Sequence, residues 1–206
     1  DPREQHNIKR LGVNMMLQNA DLPLYTGTEL QAFQVKTGLS TSQMGMIGVP
    51  GTIVNILVML LSTGLGDKVR NRVKTASWVI AGMSILPVTL LVMCLGPASF
   101  RQPGAVQVVL MLAFVVNAVF FPFYSIVWAT IFSRSIRNEI RGRFMGIVGV
   151  IGGLIGIGVG LLSALALKYY GFPHGFTIAF AISVGLILLS AIVIRGSREL
   201  PELQCQ

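Results

Sequence analysis

The sequence predicts an all-α, polytopic membrane protein of six transmembrane helices, and three observations carry that prediction. Of 206 residues, 53% are hydrophobic and only 12% charged, with a mean hydropathy of +0.72, a composition rarely met in soluble domains. Apolar runs of about 20 residues, enough to cross a roughly 30 Å hydrocarbon core, recur with short connections. Lys and Arg gather on alternate connections. Arg3, Lys9 and Arg10 precede the first run. Lys68, Arg70, Arg72 and Lys74 follow the second, Arg134, Arg137, Arg141 and Arg143 the fourth, and Arg195 and Arg198 the sixth. Only Lys36, Arg101 and Lys168 fall on the other side, so 3 of the 16 basic residues are exceptions. The positive-inside rule then places both termini in the cytoplasm of a multi-pass cell-membrane protein. This distribution, rather than a basic surface interleaved with aromatics, excludes nucleic acid as the partner of the net charge of +8.

The spans are expected near residues 11–34, 42–65, 75–96, 105–132, 144–170 and 174–194, as one bundle over 1–195. Residues 196–206, with Pro201, read as a cytoplasmic tail or the start of a linker, and the absence of a starting Met or signal-type segment reads as an excised or processed piece. Cys94 lies in the third span and Cys205 in the tail, and no disulfide is expected between them.

The first span carries Asn14, Gln18, Asp21, Tyr25 and Thr28 at spacings of four, three, four and three, which puts them on one helical face that lipid would not tolerate. Asp21 is the sharpest of them. It lies about 15 Å into the span at 1.5 Å per residue, where an ionised carboxylate costs on the order of 3 kcal/mol. Such a residue faces water or a partner and is a candidate proton carrier or cation ligand. The plainer alternative is a shifted span with Asp21 near its outer end. Glu29, eight residues on, is expected at the outer headgroups.

In the second span Gly45, Gly48 and Gly51 surround Pro50 and suggest a close helix contact. The third span and the sixth are almost uniformly apolar and can face lipid. The fourth repeats the polar stripe of the first with Asn117, Phe121, Tyr124 and Trp128, which suggests a wet cavity shared by the two. Alternatively, Asn117 bonds across a helix interface, and Tyr124 and Trp128 belong to an interfacial aromatic belt.

The fifth span is a glycine seam, with Gly142, Gly146, Gly149, Gly153, Gly156 and Gly160 at alternating spacings of four and three and Gly152 and Gly158 beside them. Small residues at this spacing are expected to press against another helix, either as a static interface or as a smooth surface for sliding or rocking. Pro23 in the first span and Pro122 in the fourth invite kinks at matching places in two triplets of spans, as in transporters with inverted repeats.

The loop Leu65-Gly66-Asp67-Lys68-Val69-Arg70-Asn71-Arg72 resembles the cytoplasmic loop motif of the major facilitator superfamily, with Thr63 and Arg70 where that motif has glycines. Glu139 to Gly146 is similar to the family's loop into its fifth helix, and Arg198-Glu199-Leu200-Pro201 to its ending after the sixth. The resemblance implies half of that fold, a 3+3 inverted repeat most like the N-terminal bundle. It implies a cavity between the first and fourth helices, the third and sixth outside, and the second and fifth against a second six-helix bundle, whether covalent or a homodimer. It also implies a gating loop in which Asp67 acts as latch beside Lys68 and Arg72; an ordinary helix-terminal charge is the alternative for Asp67.

The expected function is therefore secondary active transport of a small solute by alternating access, with Asn14, Gln18, Asp21, Tyr25, Asn117 and Tyr124 binding solute. Asp21 would couple to protons, as symport or antiport. A non-transporting scaffold assembled through Gly146, Gly149, Gly153, Gly156 and Gly160 is the alternative. No cofactor or metal is expected, and an enzyme is not: HExxH and GxSxG motifs are absent, and His6 and His174 lie off the polar faces.

Overall fold

A computed structural model describes residues 2–62 and 71–197, with side chains from Gln5 onward. Asp67, Lys68 and most of the loop motif, and the ending from Arg198, lie outside the described residues. Among the described residues eight α-helices follow one another: α1 (Pro2–Thr26), α2 (Thr28–Lys36), α3 (Thr41–Ser62), α4 (Arg72–Met83), α5 (Ile85–Leu95), α6 (Pro103–Ser135), α7 (Asn138–Tyr170) and α8 (His174–Arg195). Among the described residues, five segments are long and apolar enough to cross a membrane: Thr41–Ser62, Arg72–Leu95, Pro103–Ser135, Asn138–Tyr170 and His174–Arg195. The first expected span, divided between α1 and α2, is not one of them, because its polar stripe dilutes its hydropathy.

Local chemistry explains most boundaries. Pro23 stays inside α1, and the first span breaks four residues later at Gly27, whose backbone (φ −103°, ψ −138°) is not helical. Gly38 (φ +81°) lets the chain leave α2 in a left-handed conformation, as Gly171 (φ +62°) does after α7. Ser40 and Gln43 form a reciprocal capping box at the start of α3, the Ser40 N–H donating to Gln43 Oε1 at 2.9 Å and the Gln43 N–H to Ser40 Oγ at 3.3 Å. Asn71 caps α4 by accepting from the Lys74 N–H. Arg141 at the start of α7 caps α6 instead, donating to the carbonyls of Ser133 (2.6 Å) and Ile136 (2.9 Å), which fixes the turn between the two longest helices. Pro122 lies inside α6 as Pro23 does inside α1, and the third span divides at Ser84 into α4 and α5 while remaining one apolar segment, Arg72–Leu95. The fifth helix begins at Asn138, earlier than expected.

The helices form an arc. α3 packs mainly on α6, α6 on α4 and α5, those on α8, α8 on α1, and α7 on α1 and α8, while α1 and α6 touch only lightly across the concave side. The third and sixth spans do turn one face outward, with Trp78, Val92 and Leu95, and with Leu188 and Ile192, exposed. Their other faces are the best buried of all, and α8 is the hub of the bundle. Phe33 meets Phe176 and Phe180 edge-on at 5.7 Å, fixing α2 against the start of α8.

The packing divides the glycines of α7 between two faces. The stripe of α7 that is buried runs through Val148, Gly152, Gly156, Ser163 and Ala166. A Cβ at Gly152 would lie 3.0 Å from Asn19 Cβ and 3.2 Å from Met16 Cα, and one at Gly156 would approach Asn19 and Ala20 of α1. At Gly146, Gly149, Gly153 and Gly160 a Cβ would meet nothing within 4 Å, and the same holds at Gly45 and Gly48 of α3. Of the expected seam, Gly156 alone packs within this chain.

Candidate functional site

The light contact between α1 and α6 encloses a cavity of about 160 Å³. Gln18, Asp21 and Tyr25 line it from α1, Phe121 and Tyr124 from α6, with Ile80 and Met83 of α4 and Ile187 of α8 behind. The two stripes read in the sequence therefore do converge, and the helical spacing of four and three is what aligns them.

A hydrogen bond crosses the cavity. Tyr124 Oη donates to Gln18 Oε1 at 2.7 Å, and Gln18 Nε2 donates on to Ser190 Oγ at 3.4 Å. Asp21 is 1% exposed, and its Oδ1 accepts from Ser183 Oγ on α8. No ion pair reaches Asp21 among the described residues, and no Lys, Arg or His lines the cavity. A buried carboxylate with one hydroxyl partner is poised to take a further positive charge, whether a proton or a ligand's cation.

The remaining expected site residues are elsewhere. Asn14 is fully buried between α1 and α8, where Nδ2 donates to Ser190 Oγ at 2.7 Å and to the Ser190 carbonyl at 3.1 Å. It holds the helices together and does not line the cavity. Asn117 points to the other side of α6. Its Nδ2 donates to the Met83 carbonyl at 3.1 Å, and it lines an open groove of about 260 Å³ between α3 and α6 with Thr52, Asn55 and Phe114. Trp128 stacks on Phe132, ring centroids 4.8 Å apart, outside the cavity lining. Thr28 donates to Glu29 Oε2 on α2, and Glu29 is buried. Arg72 opens α4 half-buried, its Nε without a partner among the described residues.

Sequence reasoning missed Ser183, Ser190 and Asn55. The two serines sit seven residues apart on α8, as Asn14 and Asp21 do on α1, so antiparallel helices bring Asn14 to Ser190 and Asp21 to Ser183. That matched spacing was the available signal. The family model described as Major Facilitator Superfamily matches residues 11–204. No curated protein and no solved structure matches the chain.

Proposed function

The chain belongs to the major facilitator superfamily, a family of membrane transporters, and on that premise we propose that it forms one six-helix bundle of a secondary active transporter that moves a small solute by alternating access. The observation that carries the proposal is the α1–α6 cavity, with its single carboxylate and the Gln18–Tyr124 bond across it. α1 with α2 makes the first span and brings the number to six, its polar face turned to the solute path rather than to lipid. A 3+3 repeat is supported by matched neighbours: α1 packs on α7 and α8 as α6 packs on α3 and on α4 with α5. The bare glycines of α3 and α7 support a second bundle on that face, covalent or contributed by another copy, and the basic residues support cytoplasmic termini in the cell membrane. Within this reading Gln18, Asp21, Tyr25 and Tyr124 bind solute, Asp21 couples transport to protons, and the loop of Asp67, Lys68 and Arg72 gates the cytoplasmic side.

The test needs no knowledge of the solute. Asn19 lines the cavity and is exposed. With Cys94 and Cys205 replaced, Asn19→Cys should react with an impermeant thiol reagent from either side of the membrane, as the cavity opens alternately. Reaction from one side only, under every condition, would support the scaffold reading instead.

A further inference from the structure

The chemistry of the cavity walls restricts what the solute is. Its one ionisable acid, Asp21, has a hydrogen bond from Ser183 to Oδ1 and no other partner among the described residues. Three aromatic rings, Tyr25, Phe121 and Tyr124, share the lining with it. The Tyr124 hydroxyl is committed to Gln18, which holds its ring in place. The rest of the wall is largely aliphatic, from Leu22, Ile80, Met83 and Ile187, with Asn19 as its remaining polar side chain. An anion would find no countercharge here. A polyhydroxylated neutral solute would meet mostly carbon, with the Gln18 amide already bonded at both ends and the exposed Asn19 as the other amide in the lining. A buried carboxylate in a wall shared with three aromatic rings is instead what suits an ammonium with apolar substituents: the acid neutralises the charge, and aromatic rings accept the polarised C–H groups around it.

We propose that the solute is a compact organic cation, a quaternary or protonated amine whose charge sits against Asp21 and whose substituents lie against Tyr25, Phe121 and Tyr124. This rests on the transporter reading above and names its substrate class. A proton and the cation occupy the same carboxylate in turn.

The experiment uses the native protein reconstituted in liposomes and three probes of similar size: benzyltrimethylammonium, its uncharged isostere neopentylbenzene, and benzoate. Saturable binding and uptake are expected for the ammonium and for neither of the others. Asp21→Asn should weaken ammonium binding by at least about tenfold, the loss typical of an unpaired buried charge partner. Asp21→Glu should keep part of it, and Tyr25→Leu should lose about threefold or more where Tyr25→Phe loses little. If Asp21→Asn fails to fold by circular dichroism, the Glu and Tyr25 variants carry the test alone. Absence of saturable ammonium binding by the folded wild type, stronger binding of benzoate, or binding indifferent to these substitutions would overturn the proposal. Two-sided labelling of Asn19→Cys in a protein that binds no ammonium would remove the substrate class and leave the transporter. One-sided labelling would remove the transporter reading, and this proposal with it.

Discussion

Asn117 on α6 supplies the hydrogen bond that Pro87 withholds from Met83. In a continuous helix the Met83 carbonyl would accept from the N–H four residues on, and that residue is proline. The chain breaks at Ser84, and Asn117 Nδ2 donates to the orphaned carbonyl at 3.1 Å. Asn117→Leu should therefore cost about 1–3 kcal/mol of stability, the price of an unsatisfied buried acceptor. Pro87→Ala restores an N–H and should make the same substitution nearly neutral. A double-mutant cycle on thermal unfolding in detergent checks this, and additive losses would show that the amide does not serve the break.

Asp21→Asn should retain fold and surface expression, because an amide fills the same space without the cost of a buried charge. Solute movement driven by an imposed pH gradient should disappear, while exchange of labelled for unlabelled solute persists once the solute concentration is raised to offset the weaker binding, by about tenfold or more. Glu29→Gln is the control, since Glu29 bonds to Thr28 outside the cavity. Normal pH-driven transport by Asp21→Asn would make the carboxylate structural.

The two faces of α7 should respond oppositely to one added methyl. Gly152→Ala brings a Cβ to 3.0 Å from Asn19 and should destabilise the bundle by about 1–3 kcal/mol. Gly149→Ala meets nothing within 4 Å and should leave thermal stability unchanged, yet impair transport where that face meets a second bundle. Equal effects on both measurements would sink the assignment of faces.

Cysteines at Asn71 and Asn138 should be labelled only from the cytoplasm and one at Gln102 only from outside, as the basic residues divide. Asn71 caps α4 and Asn138 opens α7, at the end of the bundle opposite Gln102, which precedes α6. Mixed labelling would overturn the topology.

Spans two to six were legible because lipid demands long apolar runs. So was the convergence of Gln18, Asp21, Tyr25 and Tyr124, because helical spacing alone places a polar stripe on one face. What was not legible depended on partners. A serine in an apolar helix carries little signal until its acceptor is known, so Ser183 and Ser190 passed as filler. Asn14 and Asn117 belong to the same stripes as the cavity residues, and only the neighbouring helices decide that one bonds α8 and the other a broken backbone. The glycines of α7 announce close contact without saying which of two adjacent faces makes it.

The paired spacing of Asn14 and Asp21 against Ser190 and Ser183 restricts how α1 moves. A piston stroke of one turn, about 5.4 Å, would carry Asp21 from Ser183 to Ala179 and Phe180 or to Leu186 and Ile187, and strand Asn14 among aliphatic side chains at the same moment. Both polar groups would lose their partners together, in a medium that offers no replacement. α1 and α8 are therefore splined to each other: they can pivot as one body, and any widening of the cavity falls on the sparse α1–α6 side, where the Gln18–Tyr124 bond is the clasp.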